Sequence, residues 1–165
     1  VITTLRRFVL FVALMVWQGE FMFYGGVVVE VGAAVLGSHR MQGFVTQKVT
    51  NYLNLAGTVA LAVWGWDIAA GGAGWRRTRW ASWGVLVALL VALVCLHPSL
   101  DDLLAADEFR VLDRRGYRRL HQWYLGLSSV QWAGAMALTG WTVWTWRAED
   151  AARGAGSGSA GVPPA

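Results

Sequence analysis

The feature that most restricts this chain is the run from Phe8 to Leu36. It is apolar almost throughout and longer than the ~20 residues that carry a helix across a hydrocarbon core. Three further segments have the length and apolarity to do the same: Tyr52 to Ala70, Trp80 to Leu96 and Trp123 to Trp146. Hydrophobic residues make up 56% of the 165 residues and charged residues 15%, against about 45–50% and about 25% in soluble domains. The expectation is an all-α fold, an integral membrane four-helix bundle over residues 1–150 with spans at 8–36, 52–70, 80–96 and 123–146. An even number of spans puts both termini on one side, here side A. The first run is too long for a straight perpendicular helix, and Gly25 with Gly26 is where it should kink, tilt or leave the core. Arg6 and Arg7 before the run could open a signal peptide, but no small-residue cleavage site follows, so the reading is a retained helix. Residues 151–165, "AARGAGSGSAGVPPA", have the composition of a disordered tail.

Tryptophan checks the layout independently, because its amphipathic ring prefers the headgroup level. Trp64, Trp66, Trp75, Trp80, Trp83, Trp141, Trp144 and Trp146 all fall at side A, at the ends of three different spans. Arginine and lysine divide evenly between the sides, but Arg6 and Arg7 flank the first span and "WRRTR" fills a very short loop. Short loops and the first helix dominate the positive-inside rule. This reading puts side A, and both termini, in the cytoplasm, with the chain in a bacterial inner membrane.

The connection "PSLDDLLAADEFRVLDRRGYRRLHQ" is the one substantial segment outside the spans. Ser99 with Asp102 three residues on resembles a capping box, and Leu100, Leu103 and Leu104 have helical spacing. A short amphipathic helix lying on side B is expected there. The net charge of +4 comes from arginine clusters rather than a regular basic surface, which argues against nucleic acid as a partner. Cys95 is the only cysteine, so no disulfide forms within the chain and no CxxC site exists. The expected partners are the bilayer and either a second copy or another membrane protein.

Polar residues inside the spans carry the functional information, because lipid satisfies no hydrogen bond. Gln18 and Glu20 stand near the middle of the first span, pointing about 200° apart on a helix. Glu20 is expected to face protein. On the fourth span, His121, Tyr124, Ser128, Gln131 and Thr142 share a sector of roughly 80°, which should look into the bundle or a cavity. Opposite them Gly126, Ser129, Ala133, Ala137 and Gly140 form a stripe of small residues, expected to seat a neighbouring helix. His39, His97 and His121 all fall at side B, with Glu30 nearby. Two imidazoles could ligate haem, and three with a carboxylate could hold a metal, although no HxxxH or HExxH spacing appears. An interfacial or hydrogen-bonding role needs less. No nucleophile elbow, P-loop or dinucleotide fingerprint is present, so neither an enzyme nor a resident cofactor is expected.

Two stretches, "FRVLDRRGYRRLHQWYLGLSSVQW" and "GFVTQKVTNYLNLAG", resemble uncharacterised bacterial four-span membrane proteins. More distantly they are similar to the transmembrane-protein-205-like group, in which a histidine followed by a Ser-Ser step opens the last helix. Here those residues are His121 and Ser128 with Ser129, separated by "QWYLGL". The resemblance implies a four-helix membrane fold and no catalytic residue. Three functions follow: a non-enzymatic membrane component or accessory subunit, a small proton-coupled transporter using Glu20, or a haem or metal electron-transfer protein using His97 and His121.

Overall fold

A computed structural model describes residues 1–72, 75–105 and 110–158. The described residues are all-helical apart from one minimal strand pair. Helix α1 covers Ile2–Phe23, widens into a π-helical turn at Tyr24–Val28, and continues as α2, Val29–Leu36. The widened turn contains Gly25 and Gly26, the predicted site of a kink, and a π-bulge is one of the recognised ways a helix bends. Gly37 ends α2 with φ +63°, the left-handed conformation that glycine adopts without strain. The Ser38 hydroxyl then accepts from the backbone N–H groups of Arg40 and Met41 and starts α3, His39–Ala70. The helix containing the second span therefore begins at His39 rather than Tyr52. It is sustained there by a cap and by polar side chains that turn inward: Gln42 and Thr50 are buried.

Helix α4 covers Arg76–Asp101, followed by β1 (Leu104–Ala105) and β2 (Arg110–Val111), then α5 (Arg114–Gly158). The strands pair antiparallel, Leu104 with Val111 and Ala105 with Arg110. This corrects the separate amphipathic helix expected on side B. Ser99 is not a cap, because α4 continues through Pro98 to Asp101 and is closed by the Asp102 N–H donating to the Pro98 carbonyl at 2.9 Å. Residues 106–109, including Asp107 and Glu108 of that connection, lie outside the described residues. A second correction concerns the tail: α5 remains helical over residues 151–158. Glu149 and Asp150 are tied to Arg7 and Arg153, and the alanines that follow propagate the helix. Residues 159–165 lie outside the described residues.

Among the described residues three helical runs, Ile2–Leu36, His39–Ala70 and Arg76–Asp101, are long and apolar enough to cross a membrane. Helix α3 packs against α1, α2 and α4, and α4 packs against α5. Arg6 near the start of α1, Asp67 near the end of α3, Arg79 near the start of α4 and Trp146 late in α5 all meet. Successive long helices therefore run in opposite directions. The core combines Leu10, Leu14 and Trp17 of α1, Ala60, Leu61, Trp64 and Ile68 of α3, Leu86 and Leu90 of α4, and Ala135 and Leu138 of α5. Trp64 belongs to this core, fully buried and donating to Thr142 Oγ1 at 3.0 Å, so it is not one of the interfacial tryptophans. The outer surface is apolar instead: Phe8, Met15, Tyr52, Leu55, Val85, Val91, Val130 and Met136 are exposed.

The inward face of α5 follows Tyr124, Ser128, Gln131, Ala135, Leu138, Thr142 and Thr145, all buried. Steps of four and three residues alternate along it, the pattern of helices lying nearly parallel. The predicted packing stripe is the reverse of this. Gly126, Ser129, Ala133, Ala137 and Gly140 are all exposed, and a Cβ added at Gly126 or Gly140 meets nothing within 4 Å. Burying the polar sector of α5 turns this opposite face outward, so the stripe seats no helix of this chain.

Candidate functional site

At side A one carboxylate connects four helices. Asp67 Oδ1 accepts from Arg6 Nε at 2.8 Å, while Oδ2 accepts from Arg79 Nη2 at 2.7 Å and from Trp146 Nε1 at 3.2 Å. Arg6 also donates to the Ala70 carbonyl at 2.9 Å. Asp67 is fully buried and Arg79 nearly so, and a charge so far from water is tolerable only when paired and hydrogen-bonded. Around this cluster Arg7 pairs with Glu149 and Asp150 and lies over the Trp146 ring at 5.2 Å. Asp150 is exposed, yet its hydrogen bond to Arg7 holds its carboxyl below the usual range. Trp75 packs edge-on against both Trp141 and Trp144. This is where the sequence gathered its tryptophans.

At side B the helices enclose a cavity of about 530 Å³, within the size range of small-molecule sites. The π-helical turn borders it through Tyr24, whose hydroxyl donates to Thr46 Oγ1 at 2.9 Å and accepts from Gln42 Nε2 at 3.4 Å. Its floor is formed by Trp17, Leu93 and Gln131. Beyond them the apolar core continues toward the Asp67 cluster, so the cavity stops short of side A.

Within it, Asp101 accepts from Gln47 Nε2 at 2.8 Å and stands 3.0 Å from His97 Nδ1, while His97 Nε2 faces the Gln47 carbonyl at 3.2 Å. Tyr124 donates to Asn54 Oδ1 at 3.3 Å. Tyr117 and His121, one helical turn apart, stack with centroids 5.6 Å apart and planes at 8°. Both lie before the apolar stretch of α5. Burial pushes the Tyr117 phenol up, helped by the Asp101 carboxylate, and pushes the His121 imidazole down.

The cavity thus brings together Tyr124, Ser128, Gln131, His97, His121 and His39. It does not bring together the predicted ligand set. Glu30 is exposed and borders a separate crevice with Ser38 and His39, and no group of three or more metal-ligating side chains forms among the described residues. Both His97 nitrogens face oxygen acceptors, so neither is free for a metal in this arrangement. Gln18 and Glu20 are not in the cavity lining. Each is half-buried, with one side-chain oxygen (Oε1) buried and without a partner among the described residues.

Sequence reasoning missed Asp67, although "AVWGWDIAA" places a lone carboxylate in an apolar span. It also missed Gln42, Thr46 and Thr50, whose four-residue spacing in α3 marks an inward polar face.

Fold and site define an all-helical chain of membrane-crossing length with a polar recess at one end and a buried ion cluster at the other. No family model, curated protein or solved structure matches this chain.

Proposed function

We propose that this is a four-span, non-enzymatic component of a bacterial inner membrane, with both termini cytoplasmic, that works by binding in its side-B recess. It does so as a homo-oligomer or as an accessory subunit of another membrane protein. The observation that carries this reading is the polar face of α5. Tyr124, Ser128 and Gln131 are directed into a walled cavity rather than paired entirely among themselves, and intramembrane polar groups commonly mark a functional path or pocket. Binding is favoured over conduction because eleven buried core residues and the Asp67 cluster stand between the recess and side A. The proton-coupled alternative keeps one supporting observation, the buried, unpartnered Glu20 oxygen. Glu20 does not border the recess, so a proton held there would need another path.

The test replaces Cys95 by Ser and introduces Ser128→Cys in the recess or Ala137→Cys on the outer face. A small charged methanethiosulfonate is then added from either side of sealed vesicles. Ser128→Cys should react from side B alone and Ala137→Cys from neither side. Reaction of Ser128→Cys from side A would replace the recess by a through-path, and absence of reaction from both sides, with a small uncharged methanethiosulfonate as well, would remove the recess as a binding site.

A further inference from the structure

We infer that the recess binds an uncharged lipophilic alcohol or phenol, hydroxyl end innermost; the inference rests on the recess being the working site. Charge is the first constraint. Among the lining residues only Arg40 and Asp101 carry formal charges, and they are opposite. Asp101 is already engaged by Gln47 and stands beside His97. Arg40 is exposed to solvent, and the innermost lining residues Trp17, Leu93, Ser128 and Gln131 carry no charge to hold an ion against the cost of desolvating it. The walls supply the second constraint, since Trp17, Phe21, Leu53, Leu93, Leu125 and Tyr124 are mostly apolar or aromatic and suit a lipophilic body.

The third constraint is the innermost polar pair. Gln131 Nε2 donates to the Leu86 carbonyl at 3.3 Å, which fixes the amide and leaves Oε1 as an acceptor. Oε1 has no partner among the described residues, and it is not among their sealed, unpartnered atoms. The Ser128 hydroxyl, one turn nearer side B, is in the same condition. An acceptor and a hydroxyl at the inner end of a recess that also carries apolar wall are matched by a ligand hydroxyl, which donates to Gln131 and accepts from or donates to Ser128. An ether of the same shape cannot donate and would leave the Gln131 oxygen unmatched.

The experiment uses the full chain in lipid nanodiscs, with empty nanodiscs subtracted. Four probes are compared by equilibrium binding: an alkyl-naphthol, its methyl ether, the corresponding naphthoate and the naphthylammonium. The naphthol should bind saturably and the ether about tenfold more weakly, the scale of one lost hydrogen bond. Gln131→Met should lower naphthol affinity to that of the ether and leave the ether unchanged. Gly43→Leu should weaken both by filling the recess, since a Cβ there meets only the Tyr117 hydroxyl at 3.9 Å. Equal binding of naphthol and ether, tighter binding of either ion, no saturable binding, or binding insensitive to Gly43→Leu would each overturn the inference. Should Gln131→Met fail to fold, the naphthol-to-ether ratio on the unaltered chain still decides. The Ser128→Cys reactivity above is read alongside, in sealed vesicles of the same lipid. A recess that reacts from side B but shows no preference for the alcohol defeats the ligand class alone, whereas an unreactive one defeats the binding reading itself.

Discussion

Asp67 is the residue on which most of the structure converges, and its importance is energetic before it is functional. Removing one partner from a buried ion group costs about 3–5 kcal/mol, because the remaining charges stay buried without compensation. Asp67→Ala should therefore destabilise the protein by about that amount, since it leaves Arg6 and Arg79 facing each other. Replacing all three residues with Arg6→Met, Asp67→Leu and Arg79→Met should cost less than the single change. Unfolding in mixed micelles with increasing dodecyl sulfate measures both, and two variants indistinguishable from the unaltered chain would show that the cluster is open to water. His121 gives a pH-dependent companion. Burial lowers its pKa below the ordinary 6.5, so its contribution to stability is complete above about 6.5 and is lost as pH falls below that value, where the unfolded chain binds the proton first. Stability should fall between pH 7 and 5 more steeply for the unaltered chain than for His121→Phe. Equal slopes would mean that His121 is solvated.

Among the elements, α1 and α3 approach closely because Gly57 lacks a side chain. A Cβ at Gly57 would lie 2.9 Å from Trp17 Nε1, and the Trp17 ring is both a core residue and part of the floor of the recess. Gly57→Ala should move the indole and destabilise the protein by about 1–3 kcal/mol, with a change in recess binding that Gly84→Ala, where a Cβ meets nothing within 4 Å, does not show. Chemical unfolding of the two variants checks this, and equal effects would contradict the packing. The long helices were legible from apolarity alone, and an irregularity near Gly25 and Gly26 from their lack of side chains, although it takes the form of a π-helical turn. The facing of α5 was legible only in part. Its polar sector was recognised as inward, but its small stripe was also assigned to helix packing, and one helix cannot bury opposite faces against the same neighbours. Tyr124, Ser128, Gln131, Ala135 and Leu138 mix polar and apolar types, so their alternating steps of four and three emerge only when polarity is ignored. The hairpin after α4 rests on two residue pairs, too short a ladder to leave an alternating pattern in the sequence.

At the scale of the molecule, side A is closed by charge and tryptophan, the middle by aliphatic packing, and side B is hollow. The shared depth of His97 and His121 was readable from span ends. Asp67 as the joint of four helices was not, because a single aspartate in an apolar segment gives no sign of which arginines it will meet. The central claim is that α5 crosses the membrane together with the three more apolar runs, and accessibility from one face tests it most directly. In a chain carrying Cys95→Ser, single cysteines at Ser38, Arg77, Leu112 and Ala152 are exposed in intact cells to a membrane-impermeant maleimide. Ser38→Cys and Leu112→Cys should label, and Arg77→Cys and Ala152→Cys only after the membrane is opened. Labelling of Ala152→Cys together with Leu112→Cys, while Arg77→Cys stays protected, would place both ends of α5 on one side and contradict the four-span account.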